Sequence, residues 1–142
     1  MKTKLKVLFL IWFIIKLKMD KITKQNQRIA KLTFGYIYPL YLAKIKKKGR
    51  DEAELIKVIA WLTGFDNLEI QKAIKDELTF EAFFNKAKLN PNAKLIKGVI
   101  CGYRIEDIAN PLTRNVRYLD KLVDELAKGR DINNIMRTEK SI

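Results

Sequence analysis

From Phe34 onward, apolar residues recur at helical spacing with few interruptions. Phe34, Ile37, Tyr38, Tyr41, Leu42 and Ile45 fall at i, i+3, i+4 and i+7, which is one face of a helix. Pro39 lies inside that run and predicts either a start or a kink. The run closes in KIKKKGR, where cations suit the negative helix end and Gly49 can take a left-handed cap. Asp51 then predicts an N-cap, with Glu54 at the third helical position as in a capping box. Leu55, Val58, Ile59 and Leu62 form the stripe of this second helix, Trp61 flanks it, and Gly64 closes it. A short third helix is expected after Asn67, carrying Leu68, Ile70 and Ile74. Thr79 caps a fourth, in which Phe80, Phe83, Phe84 and Ala87 share a face.

Two Asn-Pro pairs follow, Asn90-Pro91 and Asn110-Pro111, and each reads as a helix start. The helix expected from Pro91 has Leu95, Ile96, Val99 and Ile100 on one apolar arc. The one from Pro111 turns Leu112, Val116, Leu119, Val123 and Leu126 inward and ends at Gly129. Its outer face carries Arg117, Asp120, Lys121, Asp124, Glu125 and Lys128, which reads as a solvated surface of paired charges. A last short helix from about Asp131 buries Ile132, Ile135 and Met136. No alternating strand run of useful length is found. The pattern therefore predicts an all-α fold: a single domain, an irregular or orthogonal bundle of about six short helices, with a candidate extra apolar helix at the N-terminus.

That N-terminal segment changes the picture of organisation. Nine unbroken apolar residues, Val7 to Ile15, lie between lysines on both sides, far short of the roughly 20 needed to span a bilayer. Residues 1–27 are expected to form an extension, 28–137 the helical domain and 138–142 a tail. Three readings stand for the extension: an upstream segment with Met19 as the true start, a membrane-surface element over residues 5–17, or a helix docked on the domain.

Charge is equally uneven. The formal net charge is +13, and residues 1–50 hold 14 Lys/Arg against the single acid Asp20. Residues 51–142 hold 15 of each sign, so the excess lies wholly in the first third. Such a segment suits an anionic partner, nucleic acid or membrane. The candidate nucleic-acid contacts are Lys44, Lys46, Lys47, Lys48 and Arg50, with Tyr36 for stacking, since Tyr38 and Tyr41 belong to the inward stripe. A membrane partner depends on residues 1–18 being translated. The 22 lysines against 7 arginines also admit a plainer reading, a lysine-favouring composition, and weaken base-specific readout.

The chemistry available is narrow. With no histidine in the chain, the commonest general base and metal ligand is missing. No catalytic, metal or cofactor site is predicted. The single cysteine makes no internal disulfide, which favours a cytoplasmic protein. It lies in KGVICG, residues 97–102. The spacing fits neither a nucleophile elbow nor a phosphate loop. On a helix from Pro91, Gly98, Cys101 and Gly102 would make a small-residue face for close helix packing, a structural role. Cys101, Arg104 and Glu106 form the one candidate cleft for a small molecule.

The segments RIAKLTFGYIYPLYLAKIKKKGR, WLTGF, NPNAKLIKGVICGYRIEDIANPL and VRYLDKLVDELAKG resemble domain of unknown function family 2200, over about Arg28 to Arg137. The resemblance implies a mainly helical, single-domain, cytosolic prokaryotic protein and implies no activity. The extension before Arg28 departs from the family, and KIKKKGR is more uniformly basic than its usual form. The leading functional expectation is a non-catalytic interaction module with a protein partner or self-association. The alternatives are nonspecific nucleic-acid binding through the first third, and a small-molecule binder or enzyme at the Cys101 cleft.

Overall fold

The computed structural model describes residues 2–138 and is overwhelmingly helical. The tail expected from 138 lies outside the described residues except for Thr138, and Met1 lies outside them as well. The elements are α1 (Lys2–Lys31), α2 (Phe34–Lys46), α3 (Glu52–Thr63), α4 (Asn67–Lys75), α5 (Phe80–Lys86), β1 (Val99–Ile100), β2 (Tyr103–Arg104), α6 (Pro111–Ala127) and α7 (Ile132–Ile135). Short 3₁₀ turns occupy Pro91–Leu95 and Ile105–Asp107.

The predicted caps are made by the residues named for them. Thr79, Asn90 and Asn110 each accept a backbone N–H from two or three residues on, and Gly64 ends α3 at φ +74°. Asp51 caps α3 by accepting from the Glu54 amide, but the reciprocal half of the box is absent. The Glu54 carboxylate is held by Arg50 instead, through Nε and Nη2. A complete capping box occurs one helix later, where Asp66 and Glu69 exchange backbone bonds. Pro39 neither starts nor ends α2, which continues through it to Lys46.

Helix α6 is the axis of the bundle and packs against α1, α2, α3, α5, α7 and β1. Its Val116, Leu119, Leu122, Val123 and Leu126 meet the buried faces of α2 and α3, including Ile45, Leu55 and Ile59. At the other side of the core, Phe34 stacks on Phe83 with ring centroids 4.2 Å apart. Residues on either side of Thr33 and Thr79 bond to each other, Phe34 N to Leu78 O at 2.8 Å and Phe80 N to Leu32 O at 2.7 Å. That short ladder fixes the start of α2 against the start of α5. Helix α2 also lies close on α4: a Cβ on Gly35 would sit 3.1 Å from the Ile74 carbonyl oxygen.

Three expectations are corrected. The helix predicted from Pro91 stops after one 3₁₀ turn, and Val99–Ile100 instead pairs antiparallel with Tyr103–Arg104. Cys101 and Gly102 are the turn between them, both at positive φ (53° and 81°), as a two-residue type I′ turn requires. Cys101 is thus exposed and does not form a buried small-residue helix face with Gly98. Second, the charged outer face of α6 is not a solvated one. Five helices and a strand surround α6, so Glu125 is buried and Arg117 and Asp120 are mostly covered. Third, the N-terminal apolar run is no docked helix. It is the free end of a continuous 30-residue α1, of which only the last two turns reach the bundle, burying Ile29.

Candidate functional site

The hairpin that replaces the predicted helix sets out the local geometry. Ile105 N donates to Gly98 O at 2.9 Å and closes its base, while Lys121 of α6 donates to Val99 O. Glu106 accepts from the Gly98 amide at 2.6 Å and lies 3.6 Å from Arg104. The Gly98 N–H, with Arg104 beside it, holds the Glu106 carboxyl below its ordinary value. The three residues predicted to share a cleft are therefore divided. Cys101 borders one hollow, with Tyr41 and Asp120, whereas Arg104 borders a different one, and Glu106 is occupied in holding the hairpin.

That second hollow is a cleft of about 360 Å³. One wall is the face of α1 carrying Ile22, Gln25 and Asn26, spaced i, i+3 and i+4. The opposite wall is the hairpin tip from Gly102 to Arg104, and the base is the loop Asp107–Asn110 with the first turns of α6. Polar contacts tie these pieces together. Tyr103 donates its hydroxyl to Gln25 Oε1 at 2.9 Å, and Thr113 Oγ1 donates to Asn26 Oδ1 at 2.7 Å. The Thr113 amide donates to Asn110 Oδ1 at 2.9 Å, which is the cap of α6. Arg117 stacks over the Tyr103 ring at 5.4 Å and pairs with Asp120 at 3.0 Å.

Asp120 also accepts from the buried Tyr41 hydroxyl. Burial, then the Asp120 charge, push the Tyr41 phenol well above its ordinary value. Tyr38 is held to Glu52 in the same manner and is likewise raised, chiefly by burial. Both tyrosines therefore stay neutral, as hydrogen-bond donors joining helices. The spacing that placed them inward did not reveal their acidic partners, which lie 14 and 79 positions away.

The candidate nucleic-acid contacts fare unevenly. Arg50 is a staple, bonded to Glu54 and donating Nη1 to Arg130 O at 2.8 Å. Lys44 pairs with Asp124 at 3.2 Å, which Lys128 also reaches at 2.9 Å. Desolvation pushes the Asp124 carboxyl up, but these two lysines outweigh it and hold it low. Lys46, Lys47 and Lys48 are exposed, as is Tyr36. Tyr36 and Lys46 stand at opposite ends of α2, ten residues and about 15 Å apart, too far to serve one nucleotide step.

The most extensive exposed apolar surface belongs to α1. Every residue from Thr3 to Lys24 is exposed, and the large apolar side chains from Leu5 to Leu17 are between 46% and 69% accessible. Phe9 contacts Trp12 and Phe13, and Lys16 lies 5.2 Å over the Trp12 ring. No helix among the described residues is long and apolar enough to cross a membrane. Among the described residues no three His, Cys, Asp or Glu gather as a metal site.

Helix order and the single helical core define a small all-α protein. A family model described as an uncharacterized protein conserved in bacteria, DUF2200, matches residues 28–137, and the chain belongs to that family. It is also similar to the crystal structure of uncharacterized protein SP1917, at 35% identity and a TM-score of 0.73. That likeness covers 78% of this chain and 91% of the other. A comparison with curated proteins found no match.

Proposed function

We propose that this protein is a non-catalytic interaction module that docks on anionic lipid through the free half of α1. The observation that carries the reading is the contiguous apolar surface between Leu5 and Leu17, exposed on every side of the helix and flanked by lysines. A helix apolar all round needs an apolar surrounding. The unbroken run of nine residues is about 13.5 Å long, less than half the hydrocarbon thickness. It therefore lies along one leaflet boundary, with both lysine flanks reaching the same headgroup layer.

Charge argues for lipid over a second copy of the chain. Pairing two α1 helices, parallel or antiparallel, would bring lysine flanks together, whereas an anionic surface attracts each lysine by about 1 kcal/mol. The contact of Lys16 with Trp12 suits an aromatic residue at headgroup level. The cytoplasmic leaflet is anionic, so this reading is of a cytoplasmic protein held at that face. Flotation with phosphatidylglycerol-containing vesicles tests it. The protein should float with these, much less with phosphatidylcholine alone, and less again in high salt. Ile11→Glu, an exposed position, should abolish flotation. Equal flotation of wild type and Ile11→Glu, or none with either lipid, would defeat the proposal.

A further inference from the structure

Two hollows lie between α2 and α6 and meet at Leu40 and Lys44, which border both. The first, of about 330 Å³, is lined by Leu32, Ile37, Ile100 and Val116. Tyr41 and Arg117, which also border it, both donate to Asp120. The second, of about 550 Å³, continues past Ala43 and Ala127 and is edged by Lys47, Lys48 and Lys128. The α2 wall follows from the sequence, because Ile37, Leu40, Lys44 and Lys47 recur at i, i+3, i+7 and i+10, one face of a helix. From Ile37 to Lys47 that face is about 15 Å long, close to three turns. Leu40 is 56% exposed and Ala43 is exposed beside it, so the apolar part of this wall stands open.

Charge narrows the occupant. Arg117 and Asp120 cancel as a pair. Lys44 and Lys128 share the one carboxylate of Asp124, and Lys47 and Lys48, both exposed, have no ion pair among the described residues. The two hollows are thus lined by five cations and two carboxylates, a net +3. The C-terminal ends of α2 and α6 reach the same edge, and their dipoles offset about half a charge each. About two positive charges remain, next to an apolar floor. Nucleic acid would use the charge and leave the floor empty. The α1 arm of a second copy would fill the floor but bring its own flanking lysines against these. An extended strand finds no unpaired backbone edge on either helical wall, whereas a helix satisfies its own amides. We propose that the groove between α2 and α6 docks an acidic amphipathic helix of a partner protein, about three turns long. Its apolar side chains lie on Ile37, Leu40 and Ala43, and its carboxylates stand over Lys47, Lys48 and Lys128. The site is independent of the lipid reading, because α1 contributes only Ile29 to it, from the end docked on the bundle.

Titration of the ¹⁵N-labelled full chain in the absence of lipid tests it. The probe is a capped Glu/Ala peptide of about four turns with leucines at i, i+3, i+4 and i+7. It should give saturable shifts at the amides of Ile37, Leu40, Lys44, Lys47, Ala127 and Lys128. A peptide of the same composition with its leucines dispersed around the helix, and one with lysine for every glutamate, should each bind about tenfold more weakly. Leu40→Lys removes the central apolar contact while adding a positive charge, and should weaken the probe about tenfold. Lys47→Glu with Lys48→Glu should weaken it by a similar factor. All three positions are exposed, so the spectrum elsewhere should be preserved. Absence of saturable shifts in the groove, or equal binding of the dispersed peptide, would overturn the assignment. So would tighter binding in Leu40→Lys, the result of a surface that acts by charge alone and suits nucleic acid. Groove shifts that track the concentration of the chain itself without peptide would overturn it in favour of a second copy.

Discussion

Glu125 offers the sharpest test of how the bundle closes. It is only 7% exposed, near the C-terminal end of α6, and both oxygens are engaged. Arg137 reaches them through Nη1 at 2.6 Å and Nη2 at 2.8 Å, and Arg130 donates to Oε2 as well. Arg137 also donates to the Ile135 carbonyl, so this cluster clasps α7 onto α6. Replacing Glu125 by alanine leaves the mostly buried Arg137 without a counter-charge. Removing one partner of a buried pair costs 3–5 kcal/mol, and the half-exposed Arg130 can recover solvation, so we expect about 3 kcal/mol. With an unfolding entropy of roughly 2.1 cal/mol/K per residue over 142 residues, Tm should fall by about 10 °C. Urea denaturation and calorimetry of the wild type, Glu125→Ala, Arg137→Leu and the double variant would measure it. The double variant should lose clearly less than the sum of the two single losses, since the stranded charge is then gone. A Glu125→Ala loss below about 0.5 kcal/mol, or strict additivity, would refute the claim that this cluster closes the fold.

Two further outcomes follow from groups whose environments the fold has altered. Tyr41 is raised in the folded state by burial and by Asp120, so its contribution is constant below its unfolded value near 10 and is lost as pH rises. Stability should therefore drop by about 1.4 kcal/mol per pH unit above pH 10 from this group. Denaturation at stepped alkaline pH should show a shallower decline in Tyr41→Phe, and an identical decline would contradict the assignment. Cys101 is exposed in a turn at positive φ, so it should titrate fully with a thiol reagent in native buffer. Cys101→Asn, which tolerates that conformation, should gain about 0.5–1 kcal/mol, and a loss would show that the thiol packs after all.

Much of the helical layout could be read because the information is local. Asp51, Thr79 and Asn110 accept bonds from amides three residues away, and Gly64 ends α3 by its own φ. Where the reading failed, the deciding partner was distant or the signal was too short. Val99 and Ile100 continue a helical arc from Leu95, and a two-residue strand has no period of its own to set against it. Only the positive φ at Cys101 and Gly102 betrays the hairpin, and Cys-Gly is not among the usual turn pairs. Neither glycine nor proline occurs before Gly35, so α1 runs unbroken from the free apolar segment into the part that packs on the bundle. Glu125 looked like one more surface acid because its partners, Arg130 and Arg137, lie beyond the helix end. The cleft was legible only at Arg104. Its α1 wall comes from a segment 78 to 87 positions away, joined by Tyr103 to Gln25 and Thr113 to Asn26.

The lipid-docking claim rests on α1, and Trp12 reports on it directly. It is 55% exposed, midway along the apolar run, and in a Trp61→Phe background it is the sole emitting tryptophan. Addition of phosphatidylglycerol vesicles should shift its emission to the blue, shield it from iodide and bring it within reach of a quencher placed high on the acyl chain. An emission maximum that stays where water holds it, with iodide access unchanged, would contradict the account.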